Sequence, residues 1–345
     1  MNNLPPEQDA QALSSWSRRD VLRAGAAAAI VGAGSTLLAP KAWSAPPRKL
    51  IFAWSSVAFC LSPVVVAQER GFFENNGLDV ELLNWGGATD QLLEALSTGK
   101  ADVGVGLIHR WLKPLEAGFD VKIVGSAHGG CLRMVGVNQA GVKDINSLKG
   151  KVIGVSDQNS PAKNFFAIHL TKKGFNLEKD VEWRVYPADL LDVAVKKGEI
   201  QAIADGDPNI YLIEKRNKGV FTEIGSNNTG QYKDKICCIL GARGELVRNE
   251  RPTTAAVVRA IVQASEYVAE NPNESAKIYA KYSPKVAIED LRALLSSLTY
   301  HNHPNGKPLR DEVEFFARDF HSAGVLKKTT DPTRLANFVT TDVLS

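Results

Sequence analysis

Several things are missing from this chain of 345 residues. No apolar run approaches the roughly 18 residues a helix needs to cross a bilayer, so the mature chain is not expected to span a membrane that way. No charge of one sign dominates: 41 Lys and Arg stand against 38 Asp and Glu, a formal net charge of +3. That balance gives no electrostatic footprint for nucleic acid. Four cysteines and six histidines are present, but no C-x-x-C, which excludes zinc ribbons and thioredoxin-type redox motifs. Nor is there a G-x-S-x-G, an H-E-x-x-H or a P-loop after the leader region, an absence that points away from the common hydrolase, metalloprotease and nucleotidase chemistries. What remains is an ordinary globular composition, 44% hydrophobic and 23% charged, with length for two domains or lobes.

The first 44 residues read as an address. Ser17-Arg18-Arg19-Asp20-Val21-Leu22-Arg23 sets an arginine pair in a polar–hydrophobic frame. A weakly apolar Ala/Gly stretch follows to Ala39, and then Pro40-Lys41-Ala42-Trp43-Ser44 with small residues where signal peptidase cuts. This resembles a twin-arginine export signal, with cleavage after Ser44 and a periplasmic destination.

From Lys49 onward, strand and helix patterns alternate. Leu50–Trp54 is a short apolar run of the kind that forms a buried strand. Ser62-Pro63 opens a helix that Gly71 ends, and Leu78–Leu82 alternates as a strand. Thr89 is an expected helix cap, Ala101–Gly106 a third strand and Val121–Gly125 a fourth. The rhythm then repeats, with strands at Lys151–Val155, Val181–Val185 and Ala202–Asp205 and helices at Ser160–Gly174 and Leu190–Lys197. Past Leu240 the chain reads as helical. Serial βαβ units predict parallel sheets with helices on both faces, and two such series predict two lobes.

Four motifs in order carry a family resemblance. Ala67-Gln68-Glu69-Arg70-Gly71-Phe72-Phe73-Glu74-Asn75-Asn76-Gly77-Leu78-Asp79-Val80 is the first, and Leu96-Ser97-Thr98-Gly99-Lys100-Ala101-Asp102-Val103-Gly104 the second. Ser147-Leu148-Lys149-Gly150-Lys151-Val152-Ile153-Gly154-Val155 is the third, and Lys197-Gly198-Glu199-Ile200-Gln201-Ala202 echoes the second, with Gln201 where the family usually has Asp. Over roughly residues 49–300 the chain resembles periplasmic solute-binding proteins of the aliphatic-sulfonate, taurine and nitrate type. The resemblance implies a two-lobed, type II periplasmic-binding-protein α/β fold with parallel-rich sheets. Lobe I would hold residues 45–132 and 240–345, lobe II residues 133–239, with hinge strands near Leu132–Val137 and Ile236–Leu240. It further implies a monomer that captures a small solute and passes it to an ABC permease and its ATPase, without catalysis and without a cofactor. The same fold resembles thiamine-pyrimidine synthases, which makes an enzyme the alternative.

In doubly wound sheets, ligands sit beyond the carboxyl ends of the strands. That rule nominates Ser55, Phe59 and Cys60 after the first strand, Trp85, Gly86 and Gly87 after the second, and His109 after the third. His128, Gly130 and Cys131 follow the fourth. In the second series it nominates Asp157, Asn159, Ser160 and Asp207. Trp85 either walls the pocket or packs in the core. Gly86 and Gly87 would let backbone N–H groups reach a ligand. Ser160-Pro161 opens a helix whose free N–H groups favour an anion. Asp207 either accepts from an amine or hydroxyl of the solute or caps its turn. Small sulfonates or carboxylates are the expected solutes. The cysteines leave three readings open: buried thiols, a Cys60–Cys131 disulfide, or a soft-metal or thiol-reactive sensor site joining Cys60, Cys131, His128 and one of the vicinal pair, of which Cys237 is the expected partner. Adjacent residues of a strand face opposite ways, so at most one of Cys237 and Cys238 should reach such a site.

Overall fold

A computed structural model describes residues 47–85, 89–284 and 286–345. The segment expected to be an export signal, Gly86 and Gly87 lie outside the described residues. The chain builds two five-stranded sheets. The first begins with β1 (Arg48–Trp54), β2 (Leu78–Asn84), β3 (Val103–Leu107) and β4 (Val121–His128). The second holds β5 (Leu132–Val137), β6 (Lys151–Val155), β7 (Val181–Val185), β8 (Ala202–Gly206) and β9 (Phe221–Ser226). The chain then returns to the first sheet as β10 (Cys238–Arg243). The strand orders are 2-1-3-10-4 and 7-6-8-5-9.

Neither sheet is wholly parallel, which corrects the expectation from the βαβ rhythm. β1 runs parallel to β2 and β3, but β10 is antiparallel to both β3 and β4. In the second sheet β5 is antiparallel to both β8 and β9. The reason is topological: each inserted strand arrives from the other sheet, free of the right-handed crossover that keeps a βαβ unit parallel.

Local sequence accounts for the elements. Helix α1 (Ser62–Glu69) starts at Pro63 and is buried from Ser62 to Ala67; such all-round apolarity marks an interior helix. Gly71, at φ 70°, turns the chain into the short α2 (Phe72–Asn75). Helix α3 (Thr89–Ser97) leads to β3, whose five residues are all buried. Helix α4 (Ile108–Glu116) follows β3 without a connecting loop. Its Trp111 lies across a floor of glycine on β3 and β10: a Cβ on Gly241 would stand 2.6 Å from the indole, and one on Gly106 would overlap it.

Helix α5 (Pro161–Lys172) is capped by Ser160, whose hydroxyl accepts from the Lys163 N–H. Helices α6 (Leu191–Lys196) and α7 (Asn209–Arg216) cover the second sheet. Period-2 alternation divides that sheet between two cores: Met134, Ala202 and Ala204 join the large core, while Val135 and Ile203 pack with Leu191, Ile210 and Ile213. The C-terminal run comprises α8 (Gly244–Asn249), α9 (Arg251–Glu270), α10 (Pro272–Ala280), α11 (Ile288–Ser297), α12 (Gly306–Ser322) and α13 (Pro332–Val339). Helix α9 packs on β4 and α1, whereas α12 contacts both α4 and α5 and so touches elements of both sheets. β9 and α7 carry no clear period in sequence and were not anticipated.

Candidate functional site

The segments after β4 and β8 meet. Asp207 N–H donates to the Cys131 carbonyl at 2.9 Å, which ties the turn after β8 to the start of β5. There Gly130, Cys131 and Asp207 line a cavity of about 320 Å³ with Arg133, Tyr211, Glu223, Ser226 and part of α11. Gly130 has no room for a side chain: a Cβ would lie 2.6 Å from Asn227. One guanidinium faces several carboxylates here. Arg133 pairs with Glu223 at 2.6 Å, Glu214 at 2.7 Å and Asp207 at 3.5 Å. Burial pushes the Asp207 carboxyl up to about 6, against the pull of Arg133 and of the Tyr211 N–H that it accepts. Its neighbour Asp205 is also pushed up to about 6 by burial, although it accepts from Gly206 N–H, Asn209 and Ser156. The cation is therefore fully matched, and the cavity has acidic excess.

Beside this cavity lies a sulfur cluster. The ligand atoms of Cys60, His128 and Cys131 all fall within 4.8 Å of one another. Cys131 Sγ stands 3.7 Å from Cys237 Sγ, and Asn227 Nδ2 donates to Cys237 Sγ at 3.4 Å. All four cysteines are free and buried, so the Cys60–Cys131 disulfide is not formed in this structure. The Cys131 and Cys238 thiols beside Cys60 lower it to about 6, while burial raises Cys238 well above the usual thiol range. Both vicinal cysteines thus reach the cluster, contrary to the alternation argument. Cys237 precedes β10, where the backbone has not yet entered the pleat. Burial lowers the basicity of His128, against the pull of Cys237 and of the Gly129 backbone, and neither ring nitrogen makes a hydrogen bond of ordinary geometry.

The other nominated residues scatter. Ser55 is buried, its hydroxyl without a partner. Phe59 packs edge-on against Tyr279 inside the first sheet's core. Trp85 donates its indole N–H to Gln91 at 2.8 Å and lies beside α3, away from the acidic cavity. His109 is not on a cleft wall. With no loop between β3 and α4, it falls in the first turn of α4 and sits among Phe165, Phe316 and Phe320. Asp157 pairs with Arg110 of α4 at 2.6 Å, a link between segments of the two sheets, and Asn159 is exposed. Sequence reasoning put Arg133 on a hinge strand without assigning it to the site, and missed Glu223; alternation on β5 and β9 could have put both on the sheet face carrying Asp205 and Asp207. A second, wider concavity lies between Val57, after β1, and helices α6 and α7.

Two sheets with one inserted strand each, helices on both faces and loops converging at the crossings define the fold of the periplasmic binding proteins. The solved alkanesulfonate-binding protein SsuA of Xanthomonas axonopodis pv. citri, bound to MOPS, superposes with TM-score 0.69 at 18% identity, covering 87% of this chain and all of that one. The nitrate-binding protein NrtA of Synechocystis PCC 6803 gives TM-score 0.69 at 17% identity over 86% of this chain and 87% of that one. The 4-amino-5-hydroxymethyl-2-methylpyrimidine phosphate synthase of Uromyces fabae is 26% identical over 249 residues, 67% of this chain and 69% of that protein. Residues 59–275 match the NMT1/THI5-like family, and the chain belongs to it.

Proposed function

We propose that this chain is the solute-capturing component of an ABC importer, exported to the periplasm by the twin-arginine route, and that it binds its solute without turnover. The observation that carries the reading is the cavity of about 320 Å³ at the crossing of the sheets, lined by Gly130, Cys131 and Asp207. Its charge revises the expected solute. Arg133 is already matched by Glu214, Glu223 and Asp207. A buried anionic head would meet the excess carboxylate charge there, while an amine or amidine would find partners. The solute is therefore a small organic molecule bearing a cationic or hydrogen-donating group.

A thermal-shift screen of the purified protein tests this with amines, amino-pyrimidines, sulfonates, nitrate and carboxylates. A ligand at about 100 times its Kd adds roughly 2.7 kcal/mol of stability. Stabilisation by an amine-bearing compound, lost in Asp207→Asn, supports the reading. Stabilisation by sulfonate or nitrate alone overturns the solute class, and conversion of a bound compound to product overturns the non-catalytic role.

A further inference from the structure

The sulfur cluster has no part in that reading. We propose that Cys60, Cys131 and His128 form a binding site for a soft monovalent d10 metal ion, Cu(I), with Cys237 as an additional sulfur ligand. The donor set is thiol and imidazole without a carboxylate, which selects thiophilic ions over magnesium, calcium or manganese. Metal–sulfur bonds of about 2.3 Å and metal–nitrogen bonds of about 2.0 Å bring ligand atoms to within about 4 Å of each other. The Cys131–Cys237 separation is already 3.7 Å, and the three primary ligand atoms are within 4.8 Å. Small side-chain rotations suffice to close the set.

His128 supplies the independent sign of a ligand. It is fully buried with both ring nitrogens unpartnered, whereas buried polar groups ordinarily find partners. A zinc-bound histidine usually donates its second N–H to an acceptor, which raises its basicity toward a divalent ion. The Gly129 backbone stands close enough to raise the basicity of His128 but makes no hydrogen bond of ordinary geometry with it, and this weak support favours the lower charge. The titratable groups that interact with Cys60 are the phenols of Tyr279 and Tyr300, the carboxyl of Asp207 and the other thiols. None of them is cationic, so the ion supplies the positive charge that faces the buried thiolates. On binding, Cys60 and Cys131 each pass the S–H proton to solvent and a Cu–S bond replaces each S–H bond. Copper stays Cu(I), and the site with two thiolates and a neutral imidazole carries one net negative charge. Cys131 lines the acidic cavity, where Asp207 and Glu223 attract a cation toward the site.

The test is an anaerobic titration of the reduced, signal-cleaved protein with Cu(I) against bicinchoninate, read by native mass spectrometry and X-ray absorption. One Cu(I) per chain with sulfur and nitrogen neighbours is expected, and affinity should fall roughly hundredfold or more in Cys60→Ser and Cys131→Ser. His128→Gln serves as the third variant, and circular dichroism checks that each variant is folded. Three results overturn the proposal: no Cu(I) retained against the chelator, undiminished uptake by the folded variants, or one Zn(II) bound where Cu(I) is not. A Cys131–Cys237 disulfide in protein isolated from the periplasm also overturns it. Solute binding is measured separately on metal-free protein, so failure of one assignment leaves the other standing.

Discussion

The two sheets solve the same problem with different chemistry. In the first, Asp102 stands just before β3; its N–H donates to the Ile51 carbonyl and its carboxylate accepts from the Ile51 N–H at 2.9 Å. In the second, Gln201 stands just before β8; its N–H donates to the Val152 carbonyl and its side-chain oxygen accepts from the Val152 N–H at 3.0 Å. Each residue clamps the strand beside it. The difference lies in what else the side chain holds. Asp102 also receives Arg243 Nε of β10 at 2.9 Å, whereas the Gln201 amide turns back to the Gly198 carbonyl. A neutral amide suffices where no arginine arrives, so the departure of Gln201 from the family's usual Asp follows from the partner it lacks.

The comparison can be broken at several places. The largest effect is expected from Trp111→Ala, which empties the glycine-floored site found in the first sheet. A loss of about 3–5 kcal/mol should appear in chemical denaturation. Next, Asp102→Ala should cost about 2 kcal/mol, because it removes the partner of Arg243 Nε as well as that of the Ile51 N–H, while Gln201→Ala should cost about 1 kcal/mol. Equal losses would mean that the arginine adds nothing.

The second sheet should also show a pH dependence of its own. Asp205 and Asp207 have folded pKa values near 6, raised by burial above the unfolded carboxylate value. Their stabilising contribution is therefore complete below about pH 4 and is lost as pH rises through 6, on the order of 2–3 kcal/mol for each carboxyl. Stability measured from pH 4 to 7 should fall less in Asp207→Asn than in the parent. The smallest effect concerns the link between the sheets: Asp157→Asn should cost under about 1 kcal/mol, because that carboxylate is partly exposed and its pair with Arg110 is screened.

Much of this was legible in the sequence. The Phe72–Val80 motif fixed a helix end and the strand after it, and Ile288–Ser297 follows from its pattern alone. The return of β10 to the first sheet was expected near Ile236–Leu240, but the antiparallel run of the inserted strands was not, since it depends on pairing and not on period. The site was less legible. His109 was misplaced because a strand-end rule assumes a loop, and α4 begins at once. The cluster joins Cys60 to Cys237 across about half of the chain, and two-residue alternation misjudged a vicinal pair that begins outside its strand. The charge of the cavity was hidden because Arg133, Glu214 and Glu223 become neighbours only when β5, α7 and β9 come together.

The two crossings lie side by side. Cys131 immediately precedes β5, Cys237 immediately precedes β10, and Cys237 N–H donates to the His128 carbonyl at 3.1 Å. If one sheet turns on the other, these points form the axle: loop tips far out sweep an arc while the paired sulfurs hardly travel. A bond placed there resists twist without opposing opening, as a pin steadies a door and leaves it free to swing.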